Sequence, residues 1–262
     1  MSNAALHVAR TGLDAQSNRM RVIANNLANV NTTGFKRDRA SFETLAYQAI
    51  TSAGATSSAD NKYAVGTNLG SGVQINGTAR IDTQGSNQQT GNALDMAIEG
   101  SGYFQIQMPD GKTGYTRAGD FSQSAEGKLV TTDGMPLIPE VTIPEGASKI
   151  TIGADGTVSA TLAGQSEASE LGKIQLARFT NPAGLESVGN NLLTETAASG
   201  TAQIGDAGVE GRGAIRQGSL EASNVNITEE LVDMIECQRA YEVNSKMIKA
   251  TDEMLQYVNQ QL

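Results

Sequence analysis

Apolar side chains recur at alternating steps of three and four residues along the N-terminal part of the chain. The positions are Leu6, Ala9, Leu13, Gln16, Met20, Ile23, Leu27 and Val30, and all but Gln16 are apolar. This spacing places one narrow apolar stripe along a helix, which is the pattern of helices that pair in coiled coils. It predicts a long N-terminal helix with a heptad seam.

The C-terminal part repeats this spacing with more interruptions. Its seam runs through Ile227, Glu230, Met234, Cys237, Tyr241, Asn244, Ile248, Thr251, Leu255, Val258 and Leu262. Asn226 with Glu229 fits a capping box that starts this helix, and Gly34 fits the left-handed residue that ends the first helix. Each helix is predicted to span roughly 30 residues, or about 45 Å.

The middle of the chain has the features of β structure. Of the 29 glycines, 26 fall between Gly66 and Gly218. Strand-like segments flank turn sequences at Pro109-Asp110-Gly111, Glu126-Gly127 and Asp155-Gly156, which are signals of β-hairpins. We therefore predict an α+β protein with long terminal helices and a β-rich domain between them.

The segment 50–72, between the first helix and the β region, is rich in Ser, Ala, Gly and Thr. By itself it is typical of a linker or long loop. The predicted organisation has a helical domain of residues 1–35 and 225–262, a connecting segment 36–70 and a β-rich domain 71–224.

The two ends carry opposite charge. Residues 1–39 contain six basic and two acidic side chains, and residues 221–262 contain three basic and eight acidic ones. The difference favours packing of the two helices, in one molecule or between neighbours. The overall charge of −9 argues against nucleic-acid binding, and we expect neither an apolar membrane span nor a cleaved signal peptide.

Candidate catalytic chemistry is weak. His7 is the only histidine, and it is expected on an exposed helix face, whereas Cys237 falls on a helical seam and is expected to be a buried, inert thiol. The glycine-rich strings lack the spacing of nucleotide-binding loops, and we expect no cofactor and no metal. Pairs among Asp95, Glu99, Asp110, Asp120 and Asp133 could be considered as glycosidase carboxylates, but the chain has no Trp and few aromatic residues. The basic run Lys36–Arg39 is expected to be a solvated patch or an intersubunit contact.

Both ends resemble the axial proteins of the bacterial flagellum, which build rod, hook and junction. IANNLANVNTTGFKR resembles their N-terminal signature, and LEASNVNITEELVDMIECQRAYEVNSKMI resembles their C-terminal one. The middle sequences DMAIEGSGYFQIQMPDGKTGYTRAGDF, ITIGADGTVS and GLESVGNNLLTETAASG resemble the rod and hook subgroup. Rod members of this family have an extra segment after the first helix, and residues 47–66 of this chain resemble it in position.

The resemblance implies a structural, non-enzymatic subunit of the distal rod. In this family the terminal helices form a coiled-coil inner domain around an axial export channel, and copies stack helically into a hollow, rigid shaft that carries torque to the hook. The implied partners are identical copies, proximal rod proteins, the hook protein, the P-ring and L-ring proteins and the flagellar type III export apparatus, without nucleic acid or direct membrane insertion. The implied location is the periplasmic part of the basal body, reached without a cleaved signal.

The predicted assembly interface combines seam and signature residues. The signature asparagines are Asn25, Asn26, Asn29 and Asn31. We propose from the sequence that they pair with adjacent helices and set their register; the alternative is that they only cap and fray the helix end. The interface comprises Leu6, Leu13, Met20, Ile23, Asn25, Asn26, Leu27, Asn29, Val30, Gly34, Phe35, Tyr47, Asn224, Met234, Tyr241, Asn244, Ile248, Leu255 and Val258.

Two other functions stay open at this point. One is a proximal rod or hook subunit of the same family, although a hook subunit would normally lack the segment after the first helix. The other is a secreted β-rich glycan hydrolase or binding module with helical oligomerisation ends. In the preferred interpretation, the terminal helices gain order when identical copies bury them.

Overall fold

The structure is a computed structural model of the chain, and it describes residues 2–56, 63–162 and 168–261. The chain forms two compact units. We call residues 1–27, 38–79 and 226–262 the helical unit, and residues 28–37 and 80–225 the β unit. The chain therefore changes unit after residues 27, 37, 79 and 225.

Two long helices belong to the helical unit. They are α1 (Ser2–Ala28) and α2 (Ile227–Gln261). Asn226 caps α2, because its Oδ1 accepts the backbone N–H of Thr228 at 3.1 Å, and Glu229 and Glu230 lie at the positive end of the helix dipole. The bond from Glu229 that would complete the capping box stays a prediction. The predicted N-terminal helix is too long, since α1 ends before Asn29 and its seam does not reach Val30.

The helices α1 and α2 contact each other in antiparallel order. The thiol of Cys237 donates to the backbone oxygen of Gln16 at 3.1 Å, and one turn further along α1, Arg19 forms an ion pair with Asp233 at 2.9 Å. At this one contact, a basic side chain of the N-terminal helix pairs with an acidic side chain of the C-terminal helix, as the opposite charges of the two ends predicted. The pairing of the helices as a regular coiled coil stays a prediction.

Within its described residues, the helical unit also contains four strands: β1 (Asp38–Thr44), β2 (Tyr47–Thr51), β3 (Thr67–Gly70) and β4 (Val73–Arg80). Strand β1 pairs with β4, and β2 pairs with β3 in an antiparallel arrangement that sets Tyr47 opposite Gly70. The interpretation of residues 50–72 as a linker is therefore wrong at both of its ends, which form paired strands. Residues 57–62 within it lie outside the described residues.

The described part of the β unit contains the remaining strands and one short 3-10 helix at Pro182–Gly184. The strands are β5 (Asn87–Gln89), β6 (Met96–Glu99), β7 (Tyr103–Gln107), β8 (Thr113–Thr116), β9 (Ser122–Gln123), β10 (Leu129–Val130), β11 (Leu137–Ile138), β12 (Ala147–Ile152), β13 (Thr157–Leu162), β14 (Ser169–Lys173), β15 (Gln175–Arg178), β16 (Glu186–Gly189), β17 (Leu192–Thr194), β18 (Gln203–Asp206), β19 (Ala214–Gln217) and β20 (Ser219–Glu221).

A seven-stranded sheet is the centre of the β unit. Its strand order is β16-β17-β8-β7-β15-β18, and β11 also pairs with β7. A three-stranded sheet β12-β13-β14 and the pairs β19-β6, β20-β5 and β10-β9 complete the unit. The three predicted hairpins are confirmed as β7-β8, β9-β10 and β12-β13, each with its predicted turn between the strands.

Side chains from both faces of β7 are buried. Phe104 and Ile106 belong to the larger apolar core, and Tyr103, on the opposite face, belongs to a smaller cluster around Phe179. Alternate residues of a strand point to opposite faces, so the near-continuous apolar run YFQI is explained by apolar packing on both sides. Burying each large side chain contributes about 1.5–3 kcal/mol, so a strand that is covered on both faces contributes strongly to the stability of the sheet.

Candidate functional site

Three charged side chains from distant parts of the sequence meet inside the β unit. The carboxylate of Glu221, at the end of β20, lies 2.6 Å from Lys36 Nζ and 3.3 Å from Arg117 Nε. All three side chains are almost fully buried. Lys36 also donates to the backbone oxygen of Thr83 at 2.7 Å, and Glu221 Oε1 accepts the backbone N–H of Gly85 at 2.9 Å.

Further contacts hold the Arg117 guanidinium in place. It donates to the backbone oxygens of Gly100 and Gly102 at 2.8 and 2.9 Å. It also lies over the ring of Tyr103 at 5.7 Å, and the hydroxyl of Tyr103 donates to Asp82 at 2.9 Å. Burial and the nearby Arg117 charge lower the pKa of Lys36, which is the expected result when two cations share one carboxylate in a site shielded from water.

Glycine allows the chain to pass close to this charge cluster. Gly34 has a φ of +68°, and a Cβ there would lie 2.5 Å from the backbone carbon of Arg117. Its N–H donates to the backbone oxygen of Glu221 at 2.8 Å. The prediction that Gly34 ends the first helix is wrong: its left-handed backbone is used for this close approach, several residues after α1 has ended.

Asn224 joins three segments of the β unit. Its Oδ1 accepts the backbone N–H of Arg37 at 2.7 Å, and its Nδ2 donates to the backbone oxygens of Ile81 and Thr83 at 2.8 and 3.0 Å. Its own backbone N–H donates to the oxygen of Phe35 at 3.3 Å. The side-chain amide therefore bonds the segment after α1, the segment after β4 and the segment before α2.

Asn26 has a comparable position within the helical unit. It is buried, its Nδ2 donates to the backbone oxygen of Asp38 at 2.9 Å, and its Oδ1 accepts the backbone N–H of Asp38 at 2.9 Å. Its Nδ2 also lies 3.3 Å from the carboxylate of Glu230 on α2. These bonds give Asn26 a role inside one chain, as an anchor for both β1 and α2.

The other signature asparagines differ from Asn26. Asn25 lies on an exposed part of α1, and Asn29 and Asn31 follow the end of the helix. Asn29 closes a turn there, since its backbone oxygen accepts the N–H of Thr32 at 3.2 Å and its Oδ1 accepts the Thr32 hydroxyl at 3.1 Å. The predicted role of these asparagines between neighbouring copies stays a prediction.

The seam residues of α1 lie on its covered face. Ile23 is buried, and Leu6, Leu13, Met20 and Leu27 are partly buried.

On α2 the seam is covered unevenly. Met234, Asn244 and Ile248 are partly buried, whereas Tyr241 is exposed. Asn244 lies close to α1, since a Cβ on Gly12 would be 3.1 Å from its Nδ2. For Leu255 and Val258 the structure describes the helical backbone but not the side chains.

The sequence interpretation missed the charge cluster. The run Lys36–Arg39 was expected to be a solvated patch or an intersubunit contact, and this is wrong for Lys36, which is 5% exposed and paired with Glu221. Lys36 and Glu221 both lie within the signature sequences, which is the only signal that could have indicated them. No local sequence pattern indicates that Lys36 pairs with Glu221, or that Arg117 joins them.

The acidic residues considered for glycoside hydrolysis have structural contacts. The carboxylate of Asp95 accepts from Thr90 at 2.5 Å and from Asn92 at 2.9 Å. Asp120 and Asp133 line a cavity of about 130 Å³ whose other lining residues include threonines and no aromatic ring that could hold a sugar. Burial, with the charges of Asp95 and Asp133, raises the pKa of Asp120. Within the described residues, no three metal-binding side chains are grouped as a metal site would require.

The single cysteine and the single histidine are placed as predicted. Cys237 is fully buried between α1 and α2, and burial raises the pKa of its thiol, which suits an inert side chain. His7 lies on an exposed part of α1.

Large apolar side chains are exposed along α2 and on the β2-β3 hairpin. On α2 their exposed fractions run from 42 to 66%, for Ile227, Leu231, Val232, Ile235, Tyr241, Val243, Met247, Met254 and Tyr257. On and near the hairpin the set is Tyr47, Ile50, Tyr63, Val65 and Leu69. Large apolar side chains exposed in this number indicate an interaction surface. We call the α2 set the exposed face of α2.

Comparisons with known proteins match all three parts of the chain. Residues 6–36 match the family described as flagella basal body rod protein, residues 97–160 the flagellar hook protein FlgE/F/G D1 domain, and residues 216–261 the flagellar basal body rod FlgEFG protein C-terminal family. The second and third matches begin in the β unit, so the likeness is not confined to the helices.

Full-length relatives narrow the family further. The chain is 49% identical to the flagellar basal-body rod protein FlgG of Buchnera aphidicola (Acyrthosiphon pisum) over 98% of both chains. It is 47% identical to FlgG of Caulobacter vibrioides over 98% of both chains. The flagellar basal-body rod protein FlgF of the same Caulobacter strain is 36% identical over 89% of this chain and 87% of its own. The chain belongs to the FlgG family of flagellar basal-body rod proteins.

Membership of this family makes the chain a structural component of the flagellar basal body and not an enzyme, because its relatives are named as rod proteins. It assembles into the rod with other flagellar proteins. In the described part of the chain, no helix combines the length and apolar character needed to cross a membrane.

Proposed function

We propose that copies of this chain polymerise helically into the distal rod, a hollow and rigid shaft that transmits torque from the motor to the hook. The observation that carries the proposal is the exposed face of α2. Among the α2 side chains that the structure describes, nine large apolar ones are 42 to 66% exposed to water in a single chain. Burial of apolar surface contributes about 25 cal/mol per Å², so identical copies that cover this face gain stability by assembling.

The terminal helices form the inner domain of this shaft and line its export channel. This part of the proposal is supported by the antiparallel contact between α1 and α2 and by the heptad spacing of both helices, which suits coiled-coil packing. The seam residues predicted from the sequence supply this packing, and the β unit forms the outer domain. Many repeated helix contacts resist twisting of the shaft.

The segment 47–66 locks neighbouring copies against sliding. It begins with β2, which pairs with β3 directly after the segment, and in this hairpin the ring of Tyr47 lies 3.4 Å from the position a Cβ would take on Gly70. Tyr47 itself is 62% exposed. A two-stranded hairpin is marginal on its own, so one with exposed aromatic and aliphatic side chains is stabilised when another copy packs on it.

Membership of the family supports a location and further partners for this shaft. The rod crosses the periplasm, joins the proximal rod proteins at one end and the hook protein at the other, and turns within the P and L rings. The flagellar type III apparatus exports the chain without a cleaved signal peptide. The higher identity to FlgG than to FlgF within one organism supports the distal position over that of another rod subunit.

A charge introduced on the exposed face of α2 tests the proposal. Met247 and Met254 are replaced together by Asp in cells that lack the parent rod protein, and basal bodies are isolated and imaged by electron microscopy. Because the buried interface would then contain unpaired carboxylates, rods are expected to be absent or short. The matched control replaces Lys246 and Glu253, exposed polar neighbours, by Asp. Rods of normal length in the M247D/M254D cells would refute the proposed interface.

A further inference from the structure

Three chain segments that pass between the two units are bonded to one another inside the β unit. The segment after α1 enters at residues 28–37, the segment after β4 enters at residue 80, and the segment before α2 leaves at residue 225. Near these points the backbone N–H of Ile81 donates to the oxygen of Arg37 at 2.9 Å, and the N–H of Asn224 donates to the oxygen of Phe35 at 3.3 Å. The three segments therefore run side by side.

Two side chains bridge all three segments. Asn224 bonds Arg37, Ile81 and Thr83 through its side-chain amide. Lys36 bonds the oxygen of Thr83 and the carboxylate of Glu221. Each bridge connects all three segments, and Asn224 reaches the segment after β4 through two residues, Ile81 and Thr83. We call these six residues, Lys36, Arg37, Ile81, Thr83, Glu221 and Asn224, the clamp.

We propose that Asn224 is a mechanical positioning residue that couples the three segments, so that twist entering the β unit along one of them is shared by the other two. This inference rests on the proposed function of the chain as a torque-carrying shaft. A single strand can rotate about its own backbone dihedrals under load, whereas segments bonded side by side rotate only if their cross-bonds break. The clamp lies within one chain and is complete before copies assemble.

Asparagine suits this position because the site offers one donor and several acceptors. The N–H of Arg37 needs an acceptor, and the carbonyl oxygens of Ile81 and Thr83 need a donor. A neutral primary amide supplies both from one planar group. Aspartate supplies the acceptor alone and sets a carboxylate against two carbonyl oxygens, and alanine supplies neither.

Hydrogen exchange of the purified full-length monomer tests the clamp. In Asn224→Ala the amides of Arg37 and Ile81 are expected to exchange at least tenfold faster, because their bonding partners are lost or loosened, while core amides such as that of Ile106 keep their rates. Asn224→Asp is expected to accelerate Ile81 more than Arg37, since it retains the acceptor. The control Ser223→Ala changes the neighbouring residue and leaves both rates at the parent value. Unchanged exchange of Arg37 and Ile81 in Asn224→Ala would overturn the proposal.

A load experiment tests the mechanical part. Although Asn224 was included in the interface predicted from the sequence, its side-chain amide bonds Arg37, Ile81 and Thr83 of its own chain. Cells carrying Asn224→Ala are therefore expected to build rods of normal number and length, but to swim more slowly or lose hooks in a medium of high viscosity, where Ser223→Ala cells behave like the parent. Parent-like swimming under load, or a complete loss of rods in Asn224→Ala, would overturn the coupling role, because the first shows no mechanical effect and the second shows an assembly effect. Failure of the proposed function itself is distinguishable, since it would appear as parent chains that do not form a shaft.

Discussion

Replacing Glu221 by Gln removes the one negative charge that two buried cations share. The carboxylate lies 2.6 Å from Lys36 and 3.3 Å from Arg117, and its side chain has no exposed surface. At an effective dielectric constant of about 20, the two attractions are about 6 and 5 kcal/mol before desolvation is subtracted. Gln keeps the shape of the side chain and an oxygen for the N–H of Gly85. The variant therefore changes mainly the charge.

The net cost is smaller than the gross attraction because the parent has already paid to bury three charges. Breaking a buried ion pair by removing one partner costs about 3–5 kcal/mol. A domain has a total stability of about 5–15 kcal/mol, so Glu221→Gln is expected to remove a large part of it. The double variant Lys36→Met/Glu221→Gln restores the parent's net charge in the cluster and is expected to recover at least half of the loss.

Chemical denaturation of the full-length chain measures this effect. Near-UV circular dichroism reports the tightly packed Tyr103 and Tyr115 of the β unit. The control is Asp206→Asn, which breaks the partly exposed ion pair with Lys173 at 2.7 Å and is expected to shift the midpoint far less. The reasoning is refuted if Glu221→Gln unfolds at the parent's midpoint, or if the double variant is as unstable as the sum of the two single variants.

Three further predictions concern the backbone, pH and the terminal helices. Gly34→Ala is expected to lower the Tm well below that of Gly91→Ala, since both glycines have positive φ but only at Gly34 would the added Cβ meet the backbone of Arg117; equal Tm values would contradict this. Asp120→Asn is expected to raise the Tm at pH 7, because the raised pKa of Asp120 reflects a cost of its charged form in the folded state, and this gain should vanish below about pH 3.9, where the unfolded carboxyl is also neutral. As a control, Glu126→Gln replaces a well-exposed carboxylate and is expected to leave the Tm unchanged. In dilute monomer, limited proteolysis is expected to cut α1 and α2 before the β unit, and equal resistance of both would argue against ordering coupled to assembly.

Local patterns in the sequence predicted the elements that depend on near neighbours. The heptad spacing indicated α1 and α2, the Asn226 cap indicated the start of α2, and the Asp155-Gly156 turn indicated the β12-β13 hairpin. Each of these depends on residues within a few positions of one another, because helix periodicity and turn conformation are properties of short stretches of backbone. The family resemblance then identified the class of protein that combines two long terminal helices with a β-rich middle.

The tertiary structure alone decided which distant residues meet. Lys36 looks like part of a solvated basic run, and its burial follows from Glu221, 185 positions away. Gly34 looks like a helix terminator, and its conformation is required instead by the backbone of Arg117. Nothing in the residues adjacent to Lys36 or Gly34 encodes these partners. The reason is physical: a buried charge is tolerated only beside its counter-charge, and which counter-charge comes within reach depends on the folding of the whole β unit.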